Sequence, residues 1–396
     1  MGDEKKVMPA IDGLTPELLP DKDKVYYNDY STLVQQQGML QDHVRTSLYQ
    51  FAMLENREDF AGKTVLDVGA GSGILSFFAA KAGARKVYAV EASGMATKAA
   101  KLASGNGLDG VVEVLHQRVE DVKLDARVDV LISEPLGIAL VNERMLESYL
   151  RARNSLLKPG GKMFPDKSEL FAAPFSDEPL YTEQYQKASF WTQPDFYGVD
   201  LTALRDDALT FYFSQPVVGP VAPYTIVAPA VSKHFDFTSM SLEALQRFEI
   251  PLKFTMPAIQ QIHGIALWFD CTFPGSQKNV VLSTSPLEPL THWYQVRCML
   301  RSPLAVGVGH TLSGTMRFEA NESRGYNVHM TVTNDNTQVT VSNTVITQCA
   351  LHHFQYTTQQ SSSPYYPQQQ QEAQVPQQSQ SNGAFASASA QPESLV

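Results

Sequence analysis

VLDVGAGSGILSFFAAKAGARKVYAVEAS, residues 65–93, reads as a strand, a glycine-rich turn, a helix and a second strand that ends on a carboxylate. Residues 65–68 form a short apolar run with β-branched ends. Gly69, Gly71 and Gly73 follow at once, where a side chain would obstruct a tight turn and the backbone's approach to a ligand. A helix is predicted over residues 74–82, and a second apolar run, 87–90, ends in Glu91. An acid about twenty residues beyond such a loop is where a doubly wound unit hydrogen-bonds ribose hydroxyls. The loop is G-x-G-x-G, with Ile74 where the dinucleotide fingerprint has its third glycine, so a dinucleotide is the weaker reading. With Asp67 near the end of the first strand, this shorter loop suits a cofactor with adenosine and no pyrophosphate, which favours S-adenosylmethionine. The competing reading, an αβ unit whose glycines serve only turns, leaves Asp67 and Glu91 unexplained.

Upstream, residues 1–21 are polar and proline-punctuated, a flexible lead-in. Apolar residues then recur at helical spacing from 26 to 54 with a break near Gly38, which predicts two helices ahead of the cradle. Downstream, strands are expected at 111–115 and 128–133 and a helix at 145–156, with KPGGKMFP as a turn; this alternation predicts an α/β, mostly parallel sheet. Beyond residue 165 the texture becomes β. ELFAAPF, HFDFT, RFEIPLKFTM, IHGIALWFDCTF, NVVLSTS, WYQVRCML, TLSGTMRFEA, YNVHMTVTN and QVTVSNTVI are separated by turn residues, as in a sandwich or barrel. An aromatic, helix-leaning insert at 180–213 interrupts this region as a protruding arm. The segment 351–396 turns to glutamine, serine and proline, a composition too polar to offset its ordering entropy, so disorder is expected there. The organisation expected is therefore lead-in 1–21, helices 22–58, Rossmann-like domain 59–165, β domain 166–350 and tail 351–396.

Composition narrows the function. The 396 residues are 43% hydrophobic, enough for two globular domains, and no run approaches a membrane span. The N-terminus MGDEKKVMPAIDG lacks an apolar h-region, and three scattered cysteines, Cys271, Cys298 and Cys349, form neither a disulfide framework nor a zinc pattern. They read as small buried residues in a reducing compartment, with no metal site. A net charge of −10 argues against a phosphate-binding surface and is compatible with a basic protein substrate.

The run VDVLIS ends in Glu134, and EPLGIALVNERML follows, with Asn142 as a candidate helix cap and Glu143 in the first turn. Glu134 closes a strand whose carboxyl end faces the same crevice as Glu91, so Glu134 and Glu143 are expected near the cofactor. Two close carboxylates repel unless a cation lies between them, and a guanidinium fits that slot, because two carboxylates can grip its planar fork. The grip aims one nitrogen and offers a proton acceptor, which a group protonated above pH 12 requires. For Glu143 the ordinary reading is an acid favoured by the helix macrodipole. An acid followed by proline at a strand end, as at Glu134, has no such packing reason.

At these motifs the chain resembles the protein arginine methyltransferases, most closely their coactivator-associated branch. The likeness runs from about residue 26 to 345 through the cradle, SEPLGIALVNERMLESYL, FWTQPDFYGVDL and LEPLTHWYQVRC. It implies a Rossmann-like S-adenosylmethionine-dependent methyltransferase domain, a β-barrel domain with a helical dimerisation arm at 180–213, and a homodimer. It implies mono- and asymmetric dimethylation of arginine in histones, transcription and RNA-processing proteins, in nucleus and cytoplasm, with S-adenosylhomocysteine as product and no direct nucleic acid or membrane partner. Tyr26, Tyr30, Gln36, Met39 and Arg45 would sit on helices closing over the cofactor, with Arg45 pairing its carboxylate. Asp67, Gly69 and Gly71 would line the cofactor, Glu91 would hold the ribose, and Val119, Glu120 and Ser148 would flank the adenine. His292 would pair with Asp42 at the mouth. Tyr30, His292 and Trp293 would join Glu134 and Glu143 on the substrate. Met39 and Met145 match methionines of the asymmetric type.

Three positions depart from the family pattern. Tyr27 stands where phenylalanine is usual, and Leu136 and Ile138 replace methionine and tyrosine in the acidic loop, removing a phenol from the arginine pocket. The coactivator-associated branch also carries a further N-terminal domain, for which the residues before Tyr26 are too few. Two other classes compete: a methyltransferase-like scaffold recruited through its glutamine-rich tail, and a small-molecule or nucleic-acid methyltransferase. Retention of Glu134, Glu143 and His292 disfavours the first; acidic charge and the lack of a base-stacking signature disfavour the second.

Overall fold

Thr32 and Asp42 divide the N-terminal helical run by accepting the orphan main-chain N–H groups of Gln35 and Arg45. The result is α1 (Lys22–Tyr30), α2 (Leu33–Gln41) and α3 (His43–Leu54), followed by a single turn, α4 (Arg57–Phe60). The expected two helices are thus three and a turn. The break falls at Asp42, while Gly38 lies inside α2, because an aspartate offers a cap and a glycine does not. The structure, a computed structural model, describes residues 22–348 and 355–356; the lead-in, Cys349 and nearly all of the low-complexity tail lie outside the described residues.

Strand β1 (Thr64–Val68) is central because four of its five residues are buried, as a strand covered on both faces requires. It is flanked by β2 (Lys86–Glu91) and β4 (Val128–Ser133), with β3 (Val112–His116) and β5 (Leu157–Phe164) outermost. All four pairings are parallel, with Val65 opposite Val87 on one side and Val130 on the other. Helices α5 (Ile74–Lys81), α6 (Ala96–Gly105) and α7 (Met145–Leu156) complete this layer. The strand order β3-β2-β1-β4-β5 reverses direction at β1, so the chain leaving β1, β2 and β4 opens a crevice at their carboxyl ends.

Two local expectations are corrected. LKPGGKMF is strand β5 rather than a turn: Leu157 pairs with Val128, the Pro-Gly-Gly excursion breaks register, and Lys162 to Phe164 resume pairing with Val130 to Ile132. Asn142 is not the cap of α7. It begins a 3₁₀ turn, Asn142–Arg144, and the cap position is Arg144 in a left-handed conformation, whose side chain makes no capping bond to the helix main chain and instead donates to Glu147.

The β-rich region forms two antiparallel sheets, and each of the nine quoted segments contains a strand. The larger sheet holds β6 (Lys167–Phe175), β7 (Val217–Gly219), β8 (Val231–Asp236), β10 (Gln260–Phe273), β11 (Val280–Ser283), β12 (Gln295–Val306) and, paired parallel to β7, the two-residue strand Gln355–Tyr356. The smaller holds β9 (Arg247–Thr255), β13 (Thr311–Ala320), β14 (Tyr326–Asn334) and β15 (Val339–Ile346). Edge strand β8 neighbours β9, and β12, whose first residues alone pair with β7, neighbours β15, so the two sheets close into a barrel. Buried and exposed residues alternate strictly along β9, so one face fills the barrel. The arm is a helical hairpin of α8 (Glu178–Ser189) and α9 (Arg205–Phe213), started by Asp177 capping Leu180. The remaining short helix, α10 (Leu242–Gln246), precedes β9. Cys271 and Cys298 are buried free thiols, and among the described residues no helix is long and apolar enough to cross a membrane.

Candidate active site

The glycine loop occupies the crevice expected for it. Gly69, Gly71 and Gly73 all have positive φ, between 55° and 87°. A Cβ on Gly69 would lie 2.2 Å from Met145 Cε, and one on Gly71 would lie 2.8 Å from Gln36 Oε1, so the loop is hemmed in by α7 and by α2. Gln36 is the fastener: its Oε1 accepts from Ser72 N–H at 3.0 Å and its Nε2 donates to Tyr30 C=O at 3.1 Å. Glu91 accepts main-chain N–H groups from Gly71 and Ser93, each at 2.7 Å, which fixes its carboxylate at the end of β2 with further lone pairs to offer. Asp67 is fully buried. One of its oxygens takes the Ser76 hydroxyl at 2.7 Å, the other has no partner among the described residues, and burial pushes the carboxyl up to about 7. Val119 is buried, and Ser148 Oγ donates to Glu120 Oε1 at 2.8 Å, which joins α7 to the turn carrying Val119 and Glu120.

Glu134 follows β4 directly, where its side chain is 9% exposed against 7% for its partner, Arg45. Arg45 Nε and Nη2 both donate to Glu134 Oε2, at 3.1 and 2.8 Å, while Nη1 reaches Met39 C=O at 3.3 Å. Arg45 is therefore seated on an acid of the site, and a cofactor carboxylate would have to use the second N–H of Nη1 or Nη2. One of the two carboxylates thus already holds a cation of the fold's own.

Among the described residues Glu143 has no such guanidinium ion pair. Its carboxyl sits at about 7, raised by burial and by the charge of Glu134 against the hydrogen bond that Tyr30 donates to its Oε2 at 2.6 Å and the nearby Arg324 cation. The loop carrying it is strained: Ala139, Leu140, Glu143 and Arg144 all have positive φ, from 47° to 70°, without being glycine. Gly137 is obligatory here, since a Cβ would lie 2.0 Å from Asn142 O. Leu136 and Ile138 are buried within this loop.

Asp42 Oδ2 accepts from His292 N–H at 2.8 Å and meets His292 Nδ1 at 2.7 Å, joining the α2–α3 corner to the loop before β12. Burial pushes the Asp42 carboxyl up, but the hydrogen bonds from His292 and from the main chain of Arg45 outweigh it and hold the group below the ordinary aspartate range. Trp293 is a correction. Only 2% exposed, it donates its indole N–H to Leu136 C=O at 2.9 Å and supports the acidic loop from below instead of facing a substrate. Sequence reasoning missed Arg324 and Asn321 in the β13–β14 hairpin, which bond the same loop. The signal was only a short polar turn, NESRG.

Comparison with known proteins follows the two domains. Residues 166–338 match the family described as arginine methyltransferase oligomerization subdomain, and residues 42–163 match ribosomal protein L11 methyltransferase. A protein of Oryza sativa subsp. indica named probable histone-arginine methyltransferase CARM1 is 51% identical over 310 residues, 78% of this chain and 59% of that one. Histone-arginine methyltransferase CARMER of Drosophila persimilis is 50% identical over 320 residues, 81% of this chain and 60% of that one. The chain thus spans about 60% of the length of the curated relatives it matches. Among solved structures, the Trypanosoma brucei PRMT1 enzyme-prozyme heterotetrameric complex with AdoHcy is 32% identical, with TM-score 0.74, covering 81% of this chain and 100% of that one. Arabidopsis thaliana protein arginine methyltransferase 10 in an open conformation is 31% identical, also with TM-score 0.74, covering 81% and 99%.

Proposed function

The chain belongs to the protein arginine methyltransferase family, and from that premise we propose that it transfers methyl groups from S-adenosylmethionine to a terminal guanidine nitrogen of protein arginines, giving mono- and asymmetric dimethylarginine. The observation that carries this reading is the pair of unlike carboxylates at the crevice: Glu134 anchored by Arg45, and Glu143 desolvated and poised near neutrality.

The crevice fits the cofactor. Gly69 is exposed on a loop whose preceding strand is buried, Glu91 keeps lone pairs for hydroxyl donors, and Asp67 has an orphaned oxygen beside them. Tyr26, Tyr30, Gln36, Met39, Arg45, Asp67, Gly69, Gly71, Glu91, Val119, Glu120, Met145 and Ser148 would hold it. When bound it supplies a methyl group on a sulfonium, an electrophile that needs a nitrogen in line.

Glu134 and Glu143 accept N–H bonds from the substrate guanidinium and localise its charge away from the reacting nitrogen. Glu143, already close to the working pH, takes up the proton that nitrogen loses. Tyr30 fixes the Glu143 carboxylate, and the Asp42–His292 pair ties the lid corner to the mouth. Met39 and Met145 leave room for a second methyl on the same nitrogen. The names of the relatives support histone substrates and nuclear action, with cytoplasmic action a further expectation, and the matched oligomerization subdomain supports a homodimer built through the arm.

Glu143→Gln separates binding from chemistry. Methyl transfer to an arginine peptide should fall by about 10³-fold or more, while S-adenosylhomocysteine affinity by calorimetry stays near that of the wild type. Transfer at the wild-type rate would defeat the carboxylate-clamp reading.

A further inference from the structure

We propose that Arg324 is a positioning residue: from the β13–β14 hairpin it latches helix α1 to the main chain of Glu143, so that closing the lid and aligning the acid are one event. This rests on the role given to Glu143 above.

The hairpin loop is built for rigidity. Asn321 Oδ1 accepts the N–H groups of Ser323 and Gly325 at 2.9 and 3.1 Å, and its Nδ2 donates to Thr347 C=O at 3.0 Å. A Cβ on Gly325 would lie 2.1 Å from Thr347 O, so only glycine closes this turn. Between these fixed points Arg324 is held at φ 55°. Its Nε donates to Glu143 C=O at 3.1 Å, and its guanidinium carbon lies 4.1 Å from the centre of the Tyr26 ring. In the opposite direction Arg144 Nη1 donates to Asn321 C=O at 2.7 Å. Two crossed arginine-to-carbonyl bonds thus span the acidic loop and the hairpin, where Glu143 and Arg144 both adopt left-handed backbone.

Helix α1 is consequently fastened on both sides of Glu143. Tyr30 reaches the carboxylate directly, and Tyr26, one turn earlier, lies under Arg324. The planar guanidinium face is needed for the second contact and the Nε–H for the backbone bond, so lysine cannot replace both. The groups bearing on the Glu143 carboxyl are Tyr30 and Tyr26 of α1, Glu134 after β4, and Arg324, whose cation opposes the effects of burial and of Glu134.

Hydrogen exchange and steady-state kinetics on the full chain test this. In Arg324→Ala, amides of residues 26–30 should exchange about tenfold faster while those of β14 keep their protection, the loss expected from one cation–π contact and one hydrogen bond. The kcat should fall more than the peptide KM rises, and the rising limb of the rate against pH should move to higher pH. Arg324→Lys should restore the limb and leave α1 loose, and Tyr26→Leu should loosen α1 as Arg324→Ala does. Protection of α1 and kcat within about twofold of wild type in Arg324→Ala would overturn the latch. The exchange measurement needs no turnover, so a wild-type chain that transfers no methyl groups would count against the proposed function and leave the latch to be judged on α1 alone.

Discussion

Glu134 and Glu143 carry the same functional group, yet the fold treats them differently. Glu134 holds a buried Arg45, so Glu134→Gln strips a buried cation of its counter-charge and should lower stability by about 3 kcal/mol, read by urea denaturation. Glu143→Gln should do the reverse over part of the pH range. With the folded carboxyl near 7 and the ordinary value at 4.5, the folded chain retains a proton that the unfolded chain has released. Its contribution to stability is therefore full below about 4.5, is lost as pH rises to about 7, and is flat above. The Tm of Glu143→Gln relative to wild type should climb across that window, and a parallel pair of Tm curves would contradict the assignment. Activity runs oppositely, since the clamp needs the ionised form: kcat/KM should rise with pH up to about 7. Both acids were legible in the sequence as strand-end and helix-start carboxylates. Their inequality was not, because it depends on Arg45, 89 residues away from Glu134 in the chain.

At the scale of elements, the periodic segments read well from sequence and the irregular ones did not. Strand β4, helix α7, β13 and β14 fall where their hydrophobic patterns predict. The acidic loop and LKPGGKMF were misread because their conformations answer to neighbours in space: Gly137 to Asn142, β5 to its pairing with β4, and Leu136 to the indole of Trp293. Trp293→Phe deletes the pyrrole half of the indole with its N–H, leaving a small gap and Leu136 C=O without its donor. Stability should drop by about 1–3 kcal/mol, and kcat should drop with it while cofactor affinity holds. Calorimetry together with methyl-transfer kinetics checks this. An unchanged kcat would mean that the acidic loop keeps its shape without that support.

For the whole molecule, the parallel sheet contributes a crevice, the barrel contributes the braces that shape it, and the arm displays apolar side chains that stay exposed among the described residues. Tyr197 is 94% exposed and Leu204 45%, an arrangement suited to a second copy. Tyr197→Arg with Leu204→Arg should yield a monomer by light scattering with much reduced transfer; an unchanged dimer would place the interface elsewhere. The arm was recognisable from sequence as an aromatic insert, whereas the closure of the two sheets into a barrel was carried by family likeness, since alternation alone left sandwich and barrel open. The claim to which all three scales lead is methyl transfer to one guanidine nitrogen. Mass spectrometry of arginine peptides incubated with the full chain and S-adenosylmethionine, fragmented to separate the dimethylarginine isomers, measures it most directly. Mono- and asymmetric dimethylarginine, absent with Glu143→Gln, is the predicted result; symmetric product, or peptides left unmodified by the wild-type chain, would contradict it.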